Sequence, residues 1–213
     1  MYFFNNMRIL LADDHTVLRE GVKSVLNSFP GIHAVDEAPT GQKALALVRE
    51  HDYHLVFLDI SLPDINGLEV MQRIKDTGLS CRIAILSLHP EEQYASRAFK
   101  LGAVGYIRKN SSFEDLTRAI KKLLAGGKYV SPNYAEKLAF SDDTTSLPHE
   151  KLSDRELQVM LLIAKGNSLS DIADKLCIAD KTVSTYRTRI LEKMLFNNNA
   201  ELTIYAIKNG LIL

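Results

Sequence analysis

Five times between Met7 and Lys128 a short apolar run gives way to a stretch of helical periodicity, and few architectures accept that alternation. The runs are Arg8–Ala12, His33–Ala38, Leu55–Asp59, Arg82–Leu86 and Gly105–Ile107. Leu55-Val56-Phe57-Leu58 is apolar without a break, the pattern of a strand covered on both faces of a parallel sheet. Between the runs, Val17, Leu18, Gly21, Val22, Val25 and Leu26 recur at helical spacing, as do Leu68, Val70, Met71 and Ile74. The stretches 44–48, 94–101 and 116–124 repeat it, and Gly126-Gly127 closes the last. The expected fold is α/β, a five-stranded doubly wound parallel sheet.

After residue 128 the pattern lapses. Ser141-Asp142-Asp143-Thr144-Thr145-Ser146 is polar and aperiodic between Pro132 and Pro148, so 129–150 reads as a linker, with a short helix expected around Tyr134–Phe140. Beyond it strand signals vanish. Ser153-Asp154-Arg155-Glu156 is a capping box, in which the serine caps free backbone N–H groups and the glutamate reaches back. Helical patterns follow over Leu157–Lys165, Leu169–Leu176, Asp180–Met194 and Asn199–Lys208. The chain therefore divides into an α/β domain at 7–128, a linker at 129–150 and a small all-α domain at 151–213.

Hydrophobic content of 46% with 24% charged residues is ordinary for a soluble globular protein. The formal net charge is zero, so charge as a whole does not point to nucleic acid. Cys81 and Cys177 each sit in an apolar run and read as reduced core residues of a cytoplasmic protein. No stretch reaches the roughly 18 apolar residues of a membrane span. Met1–Asn6 has no positive charge and is too short for a signal peptide.

In open parallel sheets chemistry gathers beyond the carboxyl ends of the strands. Asp13 and Asp14 follow the first run and Asp59 ends the third, and in a five-stranded order those two strands are normally adjacent. Three carboxylates together are costly without a cation, and hard oxygen ligands suit magnesium. Ser87 ends the fourth strand and Lys109 follows the fifth, so a hydroxyl and an ammonium reach the same edge. These are the parts needed to take and hold a phosphoryl group. Singly, each has a plainer explanation: a helix cap, a turn serine, a solvated lysine. Their coincidence at four strand ends favours the pocket.

In the second domain the informative run is Lys181–Leu191. Val183, Tyr186, Ile190 and Met194 fall on one face and should be core. The opposite side carries Lys181, Thr182, Ser184, Thr185, Arg187, Thr188 and Arg189, short hydroxyls among cations that suit a major groove. A short turn, Cys177-Ile178-Ala179, joins it to the preceding helix at helix-turn-helix spacing. A solvated helix of an ordinary bundle explains the same pattern, and 151–213 holds nine basic against seven acidic residues. On the residues alone both readings stand.

Residues 7–128 resemble the receiver domain of bacterial two-component response regulators. Asp13-Asp14, Leu58-Asp59-Ile60-Ser61-Leu62-Pro63-Asp64-Ile65-Asn66-Gly67, Ser87 and Gly105-Tyr106-Ile107-Arg108-Lys109 carry the likeness in order. The resemblance implies a flavodoxin-like sheet in which Asp59 accepts phosphate from a histidine kinase. It implies that Asp13, Asp14, Asp59 and the backbone carbonyl of Ser61 hold Mg2+. Ser87 would bond a phosphoryl oxygen, Lys109 would pair with the phosphate, and Tyr106 would be the aromatic switch. Where many receivers have a proline after the lysine, this chain has Asn110-Ser111-Ser112.

Leu152-Ser153-Asp154-Arg155-Glu156, Ile163-Ala164-Lys165-Gly166, Asp171-Ile172-Ala173, Lys181-Thr182-Val183 and Ala200-Glu201-Leu202 resemble the LuxR-type helix-turn-helix domain. The pair of domains is similar to the NarL/FixJ architecture. That implies a transcription regulator of double-stranded DNA, a homodimer when phosphorylated, paired through its last helix, with RNA polymerase a further candidate partner. It implies no enzyme beyond the receiver's own phosphotransfer and slow autodephosphorylation. The family's Leu-Gly-Val and Asn-Arg are replaced by Met194-Leu195-Phe196 and Asn198-Asn199. Without the glycine, Asn197 is the residue expected to take the left-handed helix end. Two rivals are a phosphate-independent DNA binder and a phosphohydrolase using Asp59. The second needs a positioned acid or base, and His89, two residues past Ser87 and the only histidine expected near the pocket, reads as a loop residue.

Overall fold

All five apolar runs form strands: β1 (Met7–Ala12), β2 (Ile32–Ala38), β3 (Leu55–Leu58), β4 (Ile83–Ser87) and β5 (Gly105–Arg108). They pair in parallel in the order β2-β1-β3-β4-β5. The helices α1 (Thr16–Asn27), α2 (Gly41–Glu50), α3 (Gly67–Asp76), α4 (Glu91–Leu101) and α5 (Phe113–Leu124) alternate with them. In this computed structural model residues 6–79, 81–140 and 147–212 are described. The polar run 141–146 and the N-terminal residues 1–5 lie outside them. The chain divides into two compact units, Met1–Ala139 and Phe140–Leu213.

The alternation works because a parallel strand must be covered on both faces. Ile9, Leu11, Phe57 and Leu86 point to one face and pack with Leu26 of α1 and Ile120 and Leu123 of α5. Leu10, Val56, Leu58 and Ile85, one residue out of phase, are equally buried on the other. Fully burying a side chain of this size stabilises by about 1.5–3 kcal/mol, so the central strands anchor the unit. The register Leu11↔Phe57 and Ala12↔Leu58 ends β1 and β3 level with each other. Asp13 and Asp59 consequently emerge side by side.

The first unit runs on past the last helix of the repeat. Tyr129 forms a parallel bridge to Gly105, donating its N–H to Val104 O (3.0 Å) and accepting from Tyr106 N (3.0 Å). Helix α6 (Pro132–Phe140) follows. Ser131 donates its N–H to Glu91 Oε1 (2.9 Å) and its hydroxyl to Glu91 Oε2, while its Oγ accepts from Tyr134 N (3.2 Å). Lys137 pairs with Glu92. The segment read as a linker from 129 is thus folded onto β5 and α4 as far as residue 139, because its polar groups find buried partners there.

The second unit is helical: a 3-10 turn at Pro148–Lys151, then α7 (Asp154–Ala164), α8 (Leu169–Leu176), α9 (Asp180–Met194) and α10 (Asn199–Lys208). Ser153 and Glu156 make the expected capping box, and Ser168 with Asp171 makes a second. Leu157, Met160, Ile172, Val183, Ile190, Leu202 and Ala206 form the core, and Met194 is buried. Tyr186, expected in that core, is half-buried. Glu156, nearly buried, receives Lys193 Nζ at 2.7 Å. Cys177 is exposed and Cys81 partly so, which corrects the reading of both as core residues. Cys177 ends α8 in the left-handed conformation (φ 50°), and its thiol lies 3.7 Å from Asp174 O at the helix end instead of in the core. Leu195, not Asn197, takes the left-handed position after α9 (φ 57°), and it is 87% exposed. Among the described residues no helix is long and apolar enough to cross a membrane.

Candidate functional site

The pocket is built by loops that the sheet holds in place. Asp59 N–H donates to Ala12 O (2.8 Å) and Asp13 N–H to Ala38 O (3.0 Å), so both carboxylates start from the sheet edge. The loop after Asp59 folds back tightly: a Cβ on Gly67 would lie 2.0 Å from the Asp59 carbonyl oxygen, so only glycine fits. Asp64 clamps that loop to the start of α2, accepting from Gly41 N (2.7 Å) and Gln42 N (2.9 Å). The free N–H groups of a helix start suit a carboxylate.

Lys109 enters from the end of β5 and lies between the two acids. Its Nζ is 2.7 Å from Asp13 Oδ2 and 2.7 Å from Asp59 Oδ2. All three side chains are essentially inaccessible, at 1%, 0% and 2% exposure. Burial pushes the Asp59 carboxyl above its ordinary value; Lys109 and a hydrogen bond from the Ser61 backbone oppose that, and Asp13 adds to it. Two buried carboxylates sharing one ammonium leave the site short of positive charge. Asp13 Oδ2 keeps its ionic contact with Lys109 but makes no hydrogen bond. Ligand atoms of Asp13, Asp14, His15 and Asp59 all lie within 4.8 Å of one another. An oxygen-rich donor set in which two buried carboxylates share a single ammonium fits a hard divalent cation.

Ser87 is buried, and its Oγ accepts from His89 N (3.1 Å). Tyr106 is turned inward and fully buried, donating its hydroxyl to His89 O (3.0 Å). Burial holds that phenol far above its ordinary pKa, so it stays a neutral donor. Ser61 Oγ meets His89 Nε2 at 2.9 Å, which ties the loop after β3 to the loop after β4. The structure therefore gathers Asp13, Asp14, Asp59, Ser61, Ser87, Tyr106 and Lys109 at one edge.

Four residues at this edge were not singled out for it from the sequence: His15, Arg19, Asp64 and His89. His89 stands two residues past Ser87, a signal that was present but weaker than that of an ordinary loop histidine. His15 follows the two acids directly, and its Nδ1 is 2.6 Å from Asp14 Oδ1. Arg19 and Asp64 act through partners far along the chain, which no local pattern displays.

On the second unit, Lys181, Thr182, Ser184, Thr185, Thr188 and Arg189 are exposed along α9. Thr185 and Thr188 hydroxyls back-bond to Lys181 O (2.9 Å) and Ser184 O (3.2 Å), leaving their oxygens free to accept. Arg187 is half-buried, and its Nε donates to Asn199 Oδ1 (2.8 Å). Asn199, standing where an arginine was expected, thus holds Arg187 to α10.

Comparison with known proteins agrees with both units. Residues 9–121 match the response regulator receiver domain, and residues 150–206 match the bacterial regulatory proteins of the luxR family. The chain is 33% identical over 209 residues to the response regulator GacA of Pseudomonas aeruginosa, covering 97% of this chain and 98% of that protein. It is 34% identical over 208 residues to the response regulator UvrY of Escherichia coli K12, covering 96% and 95%. Among solved structures it is similar to RcsB from Salmonella enterica serovar Typhimurium, determined bound to promoter rprA with the phosphomimetic BeF3-. That likeness has 26% identity and a TM-score of 0.67, covering 94% of this chain and 98% of that one. A buried lysine bridging two strand-end aspartates in one unit, and a luxR-family helical unit behind it, mark the chain as a member of the two-component response regulators.

Proposed function

We propose that this protein is a phosphorylation-switched regulator of transcription, with Asp59 as phosphoacceptor and α9 as the helix that reads double-stranded DNA. The observation that carries it is the Asp13–Lys109–Asp59 bridge, a preformed acidic site around one carboxylate. In this reading a carboxylate oxygen of Asp59 attacks the phosphorus of a histidine kinase's phosphohistidine. The P–N bond breaks, its electron pair leaves with the imidazole, and an aspartyl phosphate forms. Lys109 then pairs with the phosphoryl oxygens and Ser87 bonds one of them. Asp13, Asp14, Asp59 and the Ser61 carbonyl would hold Mg2+, which when bound supplies neutralising charge for the incoming group. Tyr106 follows the movement of the loop after β4, to which its hydroxyl is already bonded.

The functional division assigns 7–128 to the receiver, 129–150 to the connection and 151–213 to the DNA-binding domain. Lys181, Thr182, Ser184, Thr185, Thr188 and Arg189 face base edges and phosphates, with Arg187 placed by Asn199 at the rim. One short helix offers little area, so two phosphorylated copies pair on DNA, as a two-fold binder reading two half-sites requires. The exposed Ile204 and Ile207 on α10 support pairing through that helix. A kinase donor and a genomic target make the setting cytoplasmic, and a transcriptional role brings RNA polymerase in as a partner. The protein's only chemistry on this reading is on its own phosphate.

The test is the intact mass of wild type and Asp59→Asn after incubation with magnesium and acetyl phosphate. One phosphoryl adduct, absent from the variant, is expected. A folded wild type that takes no adduct rejects the switch and leaves a phosphate-independent DNA binder.

A further inference from the structure

We infer that Arg19 is a positioning residue of the acidic pocket: its guanidinium spans the Asp13 carbonyl and the Glu37 carboxylate and so sets where Asp13 stands. The inference rests on the reading of that pocket as a magnesium-dependent phosphoacceptor site.

The loop that carries Asp13 and Asp14 is held at its side chains, Asp13 by Lys109 Nζ (2.7 Å) and Asp14 by His15 Nδ1 (2.6 Å), and at its backbone by fewer groups. Asp13 is tied through its N–H to Ala38 O (3.0 Å), and its Oδ1 accepts from His15 N (2.8 Å). At the start of α1, His15 stands in the capping position with no side-chain cap, and no acidic residue occupies the first turn. The helix is therefore not joined to the loop in the usual way. The connection is made by Arg19 instead, whose Nη1 donates to the Asp13 carbonyl at 2.7 Å.

Arg19 is itself held. Its Nε donates to Glu37 Oε2 (2.7 Å), and its side chain is only 12% exposed. Glu37 lies near the end of β2, in register with Leu11 of β1. Its other oxygen, Oε1, accepts from Lys23 Nζ (2.5 Å). The Lys23 and Arg19 bonds keep that carboxyl below its ordinary value, so the anchor stays charged. A continuous path of charge-assisted bonds thus runs from the sheet, through Glu37 and Arg19, to the backbone of Asp13. Among the described residues Arg19 is the only side chain seen to donate to the Asp13 carbonyl.

The type of side chain matters. A guanidinium offers two donors at a fixed angle, one to each partner; an ammonium on a flexible stem is a single point of charge and cannot hold that geometry. Position matters because the buried Asp13 carboxylate is held at its tip by Lys109 Nζ, 2.7 Å from Oδ2, and at its backbone carbonyl by Arg19, so the two cations together fix where it stands. Removing a group that orients a metal ligand from behind typically weakens metal binding by about 10–100-fold.

The experiment is calorimetric titration of Mg2+ into the full-length wild type, Arg19→Ala, Arg19→Lys and Lys23→Ala, with phosphorylation by acetyl phosphate followed at each magnesium concentration. Both Arg19 variants are expected to bind Mg2+ about 10–100-fold more weakly, and their phosphorylation rate should recover as magnesium is raised to saturation. Lys23→Ala keeps the Arg19–Glu37 bond and should bind as the wild type does. A residue that merely fastens α1 would lower the melting temperature and leave magnesium affinity alone. Arg19→Ala, folded by circular dichroism yet within about two-fold of wild-type affinity, overturns the inference. Should Arg19→Ala not fold, Arg19→Lys decides: wild-type affinity in that variant shows that the fork is not required. A wild type that binds no Mg2+ overturns the underlying reading of the pocket instead.

Discussion

Leu195 stands in the left-handed region at φ 57°, at the end of α9, where a side chain with a Cβ is strained. The perturbation is Leu195→Gly. The left-handed conformation costs an ordinary L-residue about 1–2 kcal/mol. Glycine adopts it without that cost but loses more backbone freedom on folding, an offset of about 0.5–1 kcal/mol. Leu195 is 87% exposed, so its removal forfeits almost no burial. The backbone bonds that close the helix, Leu195 N to Glu192 O and Phe196 N to Leu191 O, do not involve its side chain. The net expectation is a gain of about 0.5–1 kcal/mol. For a unit of this size that is roughly 2–8 °C in melting temperature. Scanning calorimetry of the full chain follows the transition of the second unit, with Leu195→Ala as the control that deletes the leucyl side chain but keeps the strain. Stability of Leu195→Gly no greater than that of Leu195→Ala would refute the reasoning.

Other predictions concern the pocket and its supports. Lys109→Met leaves Asp13 and Asp59 buried without their shared cation and should destabilise the first unit by about 3–5 kcal/mol. Added magnesium should recover part of that by binding the folded form, and calorimetry with and without the ion is the check; an equal loss in both would count against a cation site there. Gly67→Ala places a Cβ 2.0 Å from the Asp59 carbonyl oxygen, and a loss above about 4 kcal/mol in urea titration is expected; a near-wild-type midpoint would contradict the contact. In the second unit, burial pushes the Glu156 carboxyl up, but Lys193 and Ser153 outweigh it and hold it below 4.5. A depressed carboxyl contributes stability above its unfolded value, lost as pH falls through the folded one. Stability of the second unit should therefore fall as pH is lowered below 4.5, and Glu156→Gln should flatten that fall.

The sheet was legible because its physics is periodic. Uninterrupted apolar runs mark strands covered on both faces, and Leu55–Leu58 lies buried between β1 and β4 as that rule requires. The pocket was legible because a carboxylate, a hydroxyl and an ammonium each stand where an apolar run stops, and Asp59 follows β3 directly. What local pattern could not display were partners brought from afar. Ser131 meets Glu91 across 40 residues, which is why a segment with loop composition folds onto the first unit. Arg187 meets Asn199 across 12, so the asparagine standing where the resemblance implied an arginine makes a bond that no local pattern displays. Left-handed positions at Cys177 and Leu195 escaped for a different reason. Neither residue prefers that conformation, and no residue type at either position announces it.

The stretch between Ser87 and Glu91 contains only Leu88, His89 and Pro90, and two of the three are held. Pro90 is locked at φ −56° by its ring. His89 is gripped at its N–H by Ser87, at its carbonyl by Tyr106 and at its ring by Ser61. Glu91, the next residue, holds Ser131, from which the chain departs toward the second unit. Viewed as machinery, this stretch is a short linkage: a displacement at Ser87 would have only three residues to cross before it reached the one that holds the root of α6.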